Sequence, residues 1–63
     1  MIPLTSREQE IFVLIGRGLT NKQIAAELGI SIETIRNHRK NICRKLSLHS
    51  TAELVAHAAR GES

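Results

Sequence analysis

The sequence predicts an all-α domain of four helices that contains a helix-turn-helix. Three observations support this fold class. At three of the predicted helix starts a Ser or Thr is followed three residues later by Glu or Gln, a pattern that caps the start of a helix. Apolar residues recur at helical spacing, and no segment shows the alternation of a strand. No repeat, linker or low-complexity tract interrupts the 63 residues, so one domain is expected over residues 1–63.

The first helix is predicted over residues 6–17. Thr5 and Glu8 form a capping box, in which each side chain accepts a hydrogen bond from the backbone amide of the other residue. The helix should end near Gly16 and Gly18, since glycine readily adopts the left-handed conformation that follows a helix. Its apolar side comprises Ile11, Phe12, Leu14 and Ile15.

The second helix is predicted over residues 21–28. Thr20 and Gln23 form its capping box, and Gly29 ends it. Only two residues then separate it from the next cap, so the chain must turn sharply. The residues expected to face inward are Ile24, Ala25 and Leu28.

The third helix is predicted over residues 32–46 and the fourth over residues 51–60. Ser31 caps the third helix without a reciprocal acid, and Ser50 with Glu53 forms a capping box for the fourth. The fourth helix is expected to bury Leu54, Val55 and Ala58.

The second and third helices together match the helix-turn-helix pattern. That motif needs a small residue where its two helices meet, a glycine in the turn, and an aliphatic residue where the second helix packs on the first. Ala25, Gly29 and Ile35 supply these in order. The unit is predicted over residues 21–40, with residues 32–46 as the recognition helix in the major groove.

The charges are sorted along the chain. Nine Lys and Arg outnumber six Asp and Glu, which gives a net charge of +3 and an isoelectric point near 9.8. Between Thr34 and Ala52 there is no acid, which favours a polyanionic partner for this segment. It holds five cations, Arg36, Arg39, Lys40, Arg44 and Lys45.

Helical winding assigns roles to these side chains. Ile42 and Leu46 each lie within about 20° of Ile35 around the third helix, and these three residues form its predicted buried stripe. Arg, Lys and Asn on the opposite face can donate to or pair with base edges. The predicted base contacts are Arg36, Asn37 and Lys40. The predicted contacts to the DNA backbone are Thr20, Asn21, Lys22, Thr34, Asn41, Arg44 and Lys45.

Three further side chains receive structural predictions. Arg39 lies about 40° from the buried stripe and is expected to pair internally with Glu8 or Glu10. For His38 the sequence favours neither of two roles, a packed position or a contact with a phosphate. Cys43 is expected to be a small, half-buried packing residue.

Several function classes are not expected. One cysteine allows no disulfide, and no Cys/His cluster suggests a metal site, so neither a metal nor a cofactor is predicted. No arrangement of Ser, His and acids resembles a catalytic pocket. The longest apolar run is too short to span a membrane. We therefore expect a non-enzymatic, cytoplasmic protein.

The caps and the turn belong to a longer pattern that resembles the LuxR/GerE (NarL/FixJ-type) family. The matching segments are Leu4-Thr5-Ser6-Arg7-Glu8, Gly18-Leu19-Thr20-Asn21-Lys22-Gln23-Ile24-Ala25, Leu28-Gly29-Ile30-Ser31, Thr34-Ile35-Arg36, His38-Arg39, Asn41-Ile42, Arg44-Lys45-Leu46 and Thr51-Ala52-Glu53-Leu54.

The resemblance implies the effector domain of a bacterial transcription factor, in which a receiver or sensor domain normally comes first. It implies double-stranded DNA as the partner and a homodimer through the fourth helix, with RNA polymerase as a further candidate partner. Carried over to this sequence, the dimer contacts would be Thr51, Leu54, Val55, His57 and Ala58.

Two alternative functions stay open at this point. A sigma-factor-type promoter-recognition domain shares the four-helix architecture and a similar opening motif. A protein-interaction module could use the basic helix to bind an acidic partner. The Asn-His-Arg-Lys-Asn run after Arg36 and the capped fourth helix favour the transcriptional regulator.

Overall fold

The computed structural model describes residues 3–61 and confirms the all-α prediction. Four helices follow one another: α1 (Ser6–Gly16), α2 (Asn21–Leu28), α3 (Ile32–Leu46) and α4 (Thr51–Ala59). No strand is present between residues 3 and 61. The predicted ranges of α2 and α3 agree with the structure, whereas α1 and α4 each end one residue earlier than predicted.

The predicted caps set the helix starts. The Thr5 hydroxyl accepts from the Glu8 amide at 3.1 Å, and the Glu8 carboxylate accepts from the Thr5 amide at 2.8 Å. Thr20 and Gln23 form the same pair of bonds at 3.1 and 2.8 Å. Ser31 caps α3 through the Thr34 amide at 3.1 Å. These three predictions are confirmed.

Only one of the two hydrogen bonds predicted for the capping box of α4 forms. Ser50 accepts from the Glu53 amide at 3.2 Å, but the Glu53 carboxylate accepts from the His49 amide at 3.2 Å. The reciprocal bond to Ser50 therefore does not form. The acid satisfies the amide one residue earlier, which fixes the chain as it enters the helix.

The residue directly after the helix is left-handed at two of the helices. Gly29 ends α2 with a φ of 67°, as predicted. Ser47 ends α3 with a φ of 58°, although it is not a glycine. The amides of Ser47 and Leu48 donate to the carbonyls of Arg44 and Cys43, which are the two bonds of a Schellman motif.

The core lies where all four helices meet. Ile11, Ile24, Ile35 and Ile42 are fully buried, so each of the first three helices contributes at least one isoleucine to the core. The other buried apolar residues are Phe12, Ile15, Ala25, Leu54 and Ala58. Leu46 is half-buried and packs against this cluster.

Helix α4 packs closely on α1. A Cβ atom added at Gly16 would lie 2.5 Å from the carbonyl oxygen of Ala58, so only glycine fits there without a shift of the backbone. The prediction that α4 buries Val55 is wrong, because 41% of this residue is exposed. The helix is rotated so that Leu54 and Ala58 face the core and Val55 faces outward.

Candidate nucleic-acid interface

A groove runs between the start of α2, the outer face of α3 and the start of α4. Its volume is about 590 Å³. Four of its lining side chains are cationic and none is acidic. The lining residues are Asn21, Arg36, Arg39, Lys40, Cys43, Arg44, Leu48, His49, Ser50, Thr51 and Leu54.

The outer face of α3 carries the predicted base-contacting residues. Arg36, Asn37 and Lys40 are all exposed, and Arg36 and Lys40 line the groove. Lys40 forms no ion pair with any residue between 3 and 61. Asn41 and Arg44 are also exposed on this helix. Their donors are therefore available to an anionic ligand.

Arg39 connects α3 to the start of α2. Its Nη1 donates to Asn21 Oδ1 at 2.9 Å. The predicted acid partner, Glu8 or Glu10, was wrong, although the internal contact itself is present. Partial burial lowers the pKa of Arg39, but a guanidinium stays charged at physiological pH. The bond occupies the Asn21 oxygen and leaves its amide nitrogen free to donate.

Lys45 lies in the interior rather than on the outer face. Its Nζ is 2.7 Å from Glu8 Oε1, and the two side chains are only 21% and 4% exposed. The hydrogen bonds from Lys45 and from the Thr5 amide lower the pKa of Glu8, against the opposing effect of burial. Because its ammonium group neutralises a buried carboxylate, the predicted contact of Lys45 with the DNA backbone is not carried into the proposal below.

The remaining predicted backbone contacts lie near helix starts. Lys22 is exposed in the first turn of α2 and forms no ion pair with the described residues. The Thr20 hydroxyl is exposed but accepts from Gln23. Thr34 is half-buried, and its hydroxyl lies 2.9 Å from the hydroxyl of Ser31. Lys22 is thus an exposed cation at this end of α2 without an ion-pair partner among the described residues.

His38 and Cys43 are half-buried on α3. Burial raises the pKa of the Cys43 thiol, an effect that the charge of Arg39 partly offsets. The thiol is therefore protonated at neutral pH, which suits a packing role better than a reactive one. Among residues 3–61 there is no cluster of His, Cys, Asp and Glu able to hold a metal ion.

Sequence reasoning missed Glu33. It lies in the first turn of α3, its side chain is 82% exposed, and its Oε1 is 3.5 Å from Nη1 of Arg36. The angular positions around α3 could have identified Glu33, because it lies about 160° from Ile35 and so near the centre of the outward face. His49, Ser50 and Thr51 line the groove as well, but only the packing of α4 brings them there.

A second groove shares no residue with the first. It is more apolar and contains Glu10 and Glu27 but no Lys or Arg. Its charge is therefore opposite to the one that nucleic acid requires. The lining residues are Leu4, Thr5, Ser6, Gln9, Glu10, Val13, Leu14, Glu27 and Leu28.

The predicted dimer residues of α4 divide into two groups. Leu54 and Ala58 are 1% and 6% exposed and are part of the protomer's own core, so their predicted dimer contacts are not carried into the proposal below. His57 is half-buried, and its ring contacts that of Phe12 edge to face at 6.4 Å. Thr51 and Val55 are exposed.

Two helices joined by a left-handed glycine, with a cationic outer face on the second, define a DNA-binding helix-turn-helix domain. Residues 2–58 match the family described as "Bacterial regulatory proteins, luxR family". The chain belongs to this family, and the predicted resemblance is confirmed.

Curated relatives support the same conclusion. The chain is 51% identical over 57 residues to the uncharacterized response regulatory protein YgeK of Escherichia coli, covering 90% of this chain and 39% of the relative. It is 48% identical over 56 residues to the transcriptional regulatory protein MctR of Rhizobium johnstonii, covering 89% and 26%. It is 44% identical over 57 residues to the oxygen regulatory protein NreC of Staphylococcus carnosus, covering 90% and 26%.

The chain thus spans about a quarter to two fifths of the length of these relatives. It is a DNA-binding domain of a transcriptional regulator, and its family is one of regulators rather than enzymes. This membership favours the regulator over the two alternative functions. None of the four described helices has the length and apolar character needed to cross a membrane.

Proposed function

We propose that this domain binds double-stranded DNA sequence-specifically by placing α3 in the major groove. One observation carries the proposal: the outer face of α3 holds exposed, donor-rich side chains and lines a groove without acidic residues. Arg36 and Lys40 would donate to guanine O6 and N7, and Asn37 would pair with adenine. Each good bidentate contact discriminates between bases by about 1–3 kcal/mol.

The DNA backbone contacts follow from the elements that flank α3. Lys22 at the start of α2 and Arg44 on α3 would each neutralise a phosphate. Asn21, held by Arg39, would donate from its free amide nitrogen. Thr20, Thr34 and Asn41 would add hydrogen bonds from positions close to these cations. Lys45 is left out of this set because it pairs with Glu8.

The exposed face of α4 supports a homodimer. Thr51, Ala52, Val55 and Ala59 are exposed and small or apolar, and they lie at positions i, i+1, i+4 and i+8 of one helix. Such spacing forms a continuous stripe that a second copy can cover. Two copies would then place their α3 helices on two half-sites. A contact with RNA polymerase stays a prediction.

Selection from a random duplex pool tests the assignment of α3. Arg36→Ala and Lys40→Ala should each relax the preference at one position of the enriched site. Lys22→Ala and Arg44→Ala should weaken binding to all sequences alike and leave the enriched site unchanged. An equal loss on every sequence for Arg36→Ala and Lys40→Ala would overturn the base-contacting role.

A further inference from the structure

Glu33 is an exposed acid on the otherwise cationic outer face of α3. Its side chain is 82% exposed, and it lies in the first turn of α3, the part of a recognition helix that reaches base edges. Within residues 3–61 no other acid lies on α3 or lines the groove. Glu33 is therefore the one carboxylate on a face of Arg, Lys and Asn side chains. In the proposed complex it would enter the major groove together with Arg36.

A carboxylate in the major groove has few favourable ligands. Guanine presents only the acceptors N7 and O6 there, and thymine presents an acceptor and a methyl group. Adenine offers an amino group, but its N7 acceptor lies beside it and repels a carboxylate. Cytosine presents its N4 amino group as a donor with no neighbouring acceptor on the same base. Cytosine is therefore the base that best matches Glu33.

The contact to Arg36 does not compete strongly with this role. The two side chains are 67% and 82% exposed, and the atoms are 3.5 Å apart, so water screens the pair and either group can exchange it for a base. Residues i and i+3 of a helix are about 4.5 Å apart along the axis. Successive bases of one strand are about 3.4 Å apart. Glu33 and Arg36 can thus reach adjacent base pairs.

We propose that the Glu33 carboxylate accepts a hydrogen bond from the N4 amino group of a cytosine in the base pair next to the guanine that Arg36 contacts. Glu33 is then a specificity-determining residue. This inference rests on the proposed placement of α3 in the major groove. It predicts a cytosine beside a guanine in each half-site, with the guanine's identity set by Arg36.

Enrichment from a random duplex pool tests this inference with three proteins: the unaltered chain, Glu33→Gln and Glu33→Ala. The unaltered chain should favour cytosine at one position by about five- to hundredfold. Glu33→Gln should shift that position to adenine, since Gln pairs bidentately with adenine N6 and N7. Glu33→Ala should show no preference there, while the neighbouring guanine is retained in both variants.

Glu27→Gln is the matched control. It makes the same change of charge at an exposed residue outside the basic groove, so its enriched site should equal that of the unaltered chain. If Glu33→Gln also leaves the site unchanged, Glu33 serves only the helix terminus and the inference is overturned while the proposed function stands. If the unaltered chain enriches no site at all, the proposed function fails and the inference fails with it.

Discussion

Glu8 is the only buried charged residue in the part of the chain that the structure describes, and Lys45 neutralises it. Lys45→Met keeps the length of the side chain but leaves the carboxylate without its cation. We expect the free energy of unfolding to fall by about 1–3 kcal/mol, the cost of removing a hydrogen bond to a buried charged group. Urea unfolding followed by circular dichroism at pH 7 measures this loss.

Lys40→Met is the control for that substitution. Lys40 lies on the same helix but is exposed and unpaired, so its replacement should change the stability by no more than about 0.5 kcal/mol. Equal losses for the two variants would show that the Glu8–Lys45 pair contributes nothing beyond the net charge.

The same pair makes stability depend on pH. Lys45 and the Thr5 amide lower the pKa of Glu8 in the folded state, so the unfolded state takes up a proton first as the pH falls. The stabilisation is complete above the unfolded pKa of about 4.3 and is lost as the pH falls through the lower folded pKa. Urea unfolding of the unaltered chain and Glu8→Gln from pH 7 to pH 2.5 should show a difference that shrinks toward acid. A difference that grows would contradict this sign.

The ion-pair partners show where sequence reasoning stops at this scale. Arg39 was predicted to lie beside the buried stripe and Lys45 to contact the DNA backbone, although Lys45 is only about 80° from Ile35, in the opposite direction. Both positions flank the stripe, and the choice between them depends on which flank α1 covers. Which flank α1 covers is a tertiary property. The sequence therefore predicted that a cation of α3 pairs with Glu8 or Glu10, but it assigned Arg39 to this role instead of Lys45.

At the scale of elements, the tight contact of α1 with α4 predicts a change in stability opposite in sign to the change that helix propensity predicts. Alanine is about 1 kcal/mol better than glycine inside a helix. Gly16→Ala should nevertheless destabilise the domain by about 1–3 kcal/mol, because the new Cβ would lie 2.5 Å from the Ala58 carbonyl oxygen and force the helices apart. Thermal unfolding measures the sign. A higher melting temperature would show that α4 does not pack this closely.

Helix starts were predictable because their caps are local. The Thr5, Thr20, Ser31 and Ser50 side chains bind amides three residues along the chain, and that spacing is visible in the sequence. The end of α3 at Leu46 was predicted, but the left-handed conformation of Ser47 was not, because serine rarely adopts a positive φ. Leu48 packs against the core directly after it, and this burial with the two Schellman bonds holds Ser47 in the left-handed conformation.

At the scale of the whole molecule, the basic face was predictable and the groove was not. The cations of α3 lie within one ten-residue stretch of the sequence, and helical periodicity separates Arg36, Lys40 and Arg44 from the buried stripe. The groove also needs Asn21 from α2 and Thr51 from α4, which only the packed fold brings together. The rotation of α4, which decides between Leu54 and Val55 as the exposed residue, is fixed by the same packing.

That rotation leads to a prediction for the proposed dimer. Val55→Asp places a charge in the exposed stripe of α4, and the like charges of two copies would then oppose each other. Binding to a duplex with two half-sites should weaken by about 10- to 100-fold, because the second copy no longer adds to the affinity. Binding to a duplex with one half-site should stay unchanged. Fluorescence anisotropy with the two duplexes measures both affinities.

Val13→Asp is the matched control for the dimer test. Val13 and Val55 are 43% and 41% exposed, so both substitutions add the same charge at equally accessible valines. Val13 lies on α1, outside the α4 stripe and outside the basic groove, and its replacement should leave the difference between the two duplexes intact. If Val55→Asp and Val13→Asp behave alike on the two-half-site duplex, α4 is not the contact between copies. If Val55→Asp alone loses the advantage of the second half-site, the exposed stripe of α4 is where the two copies meet.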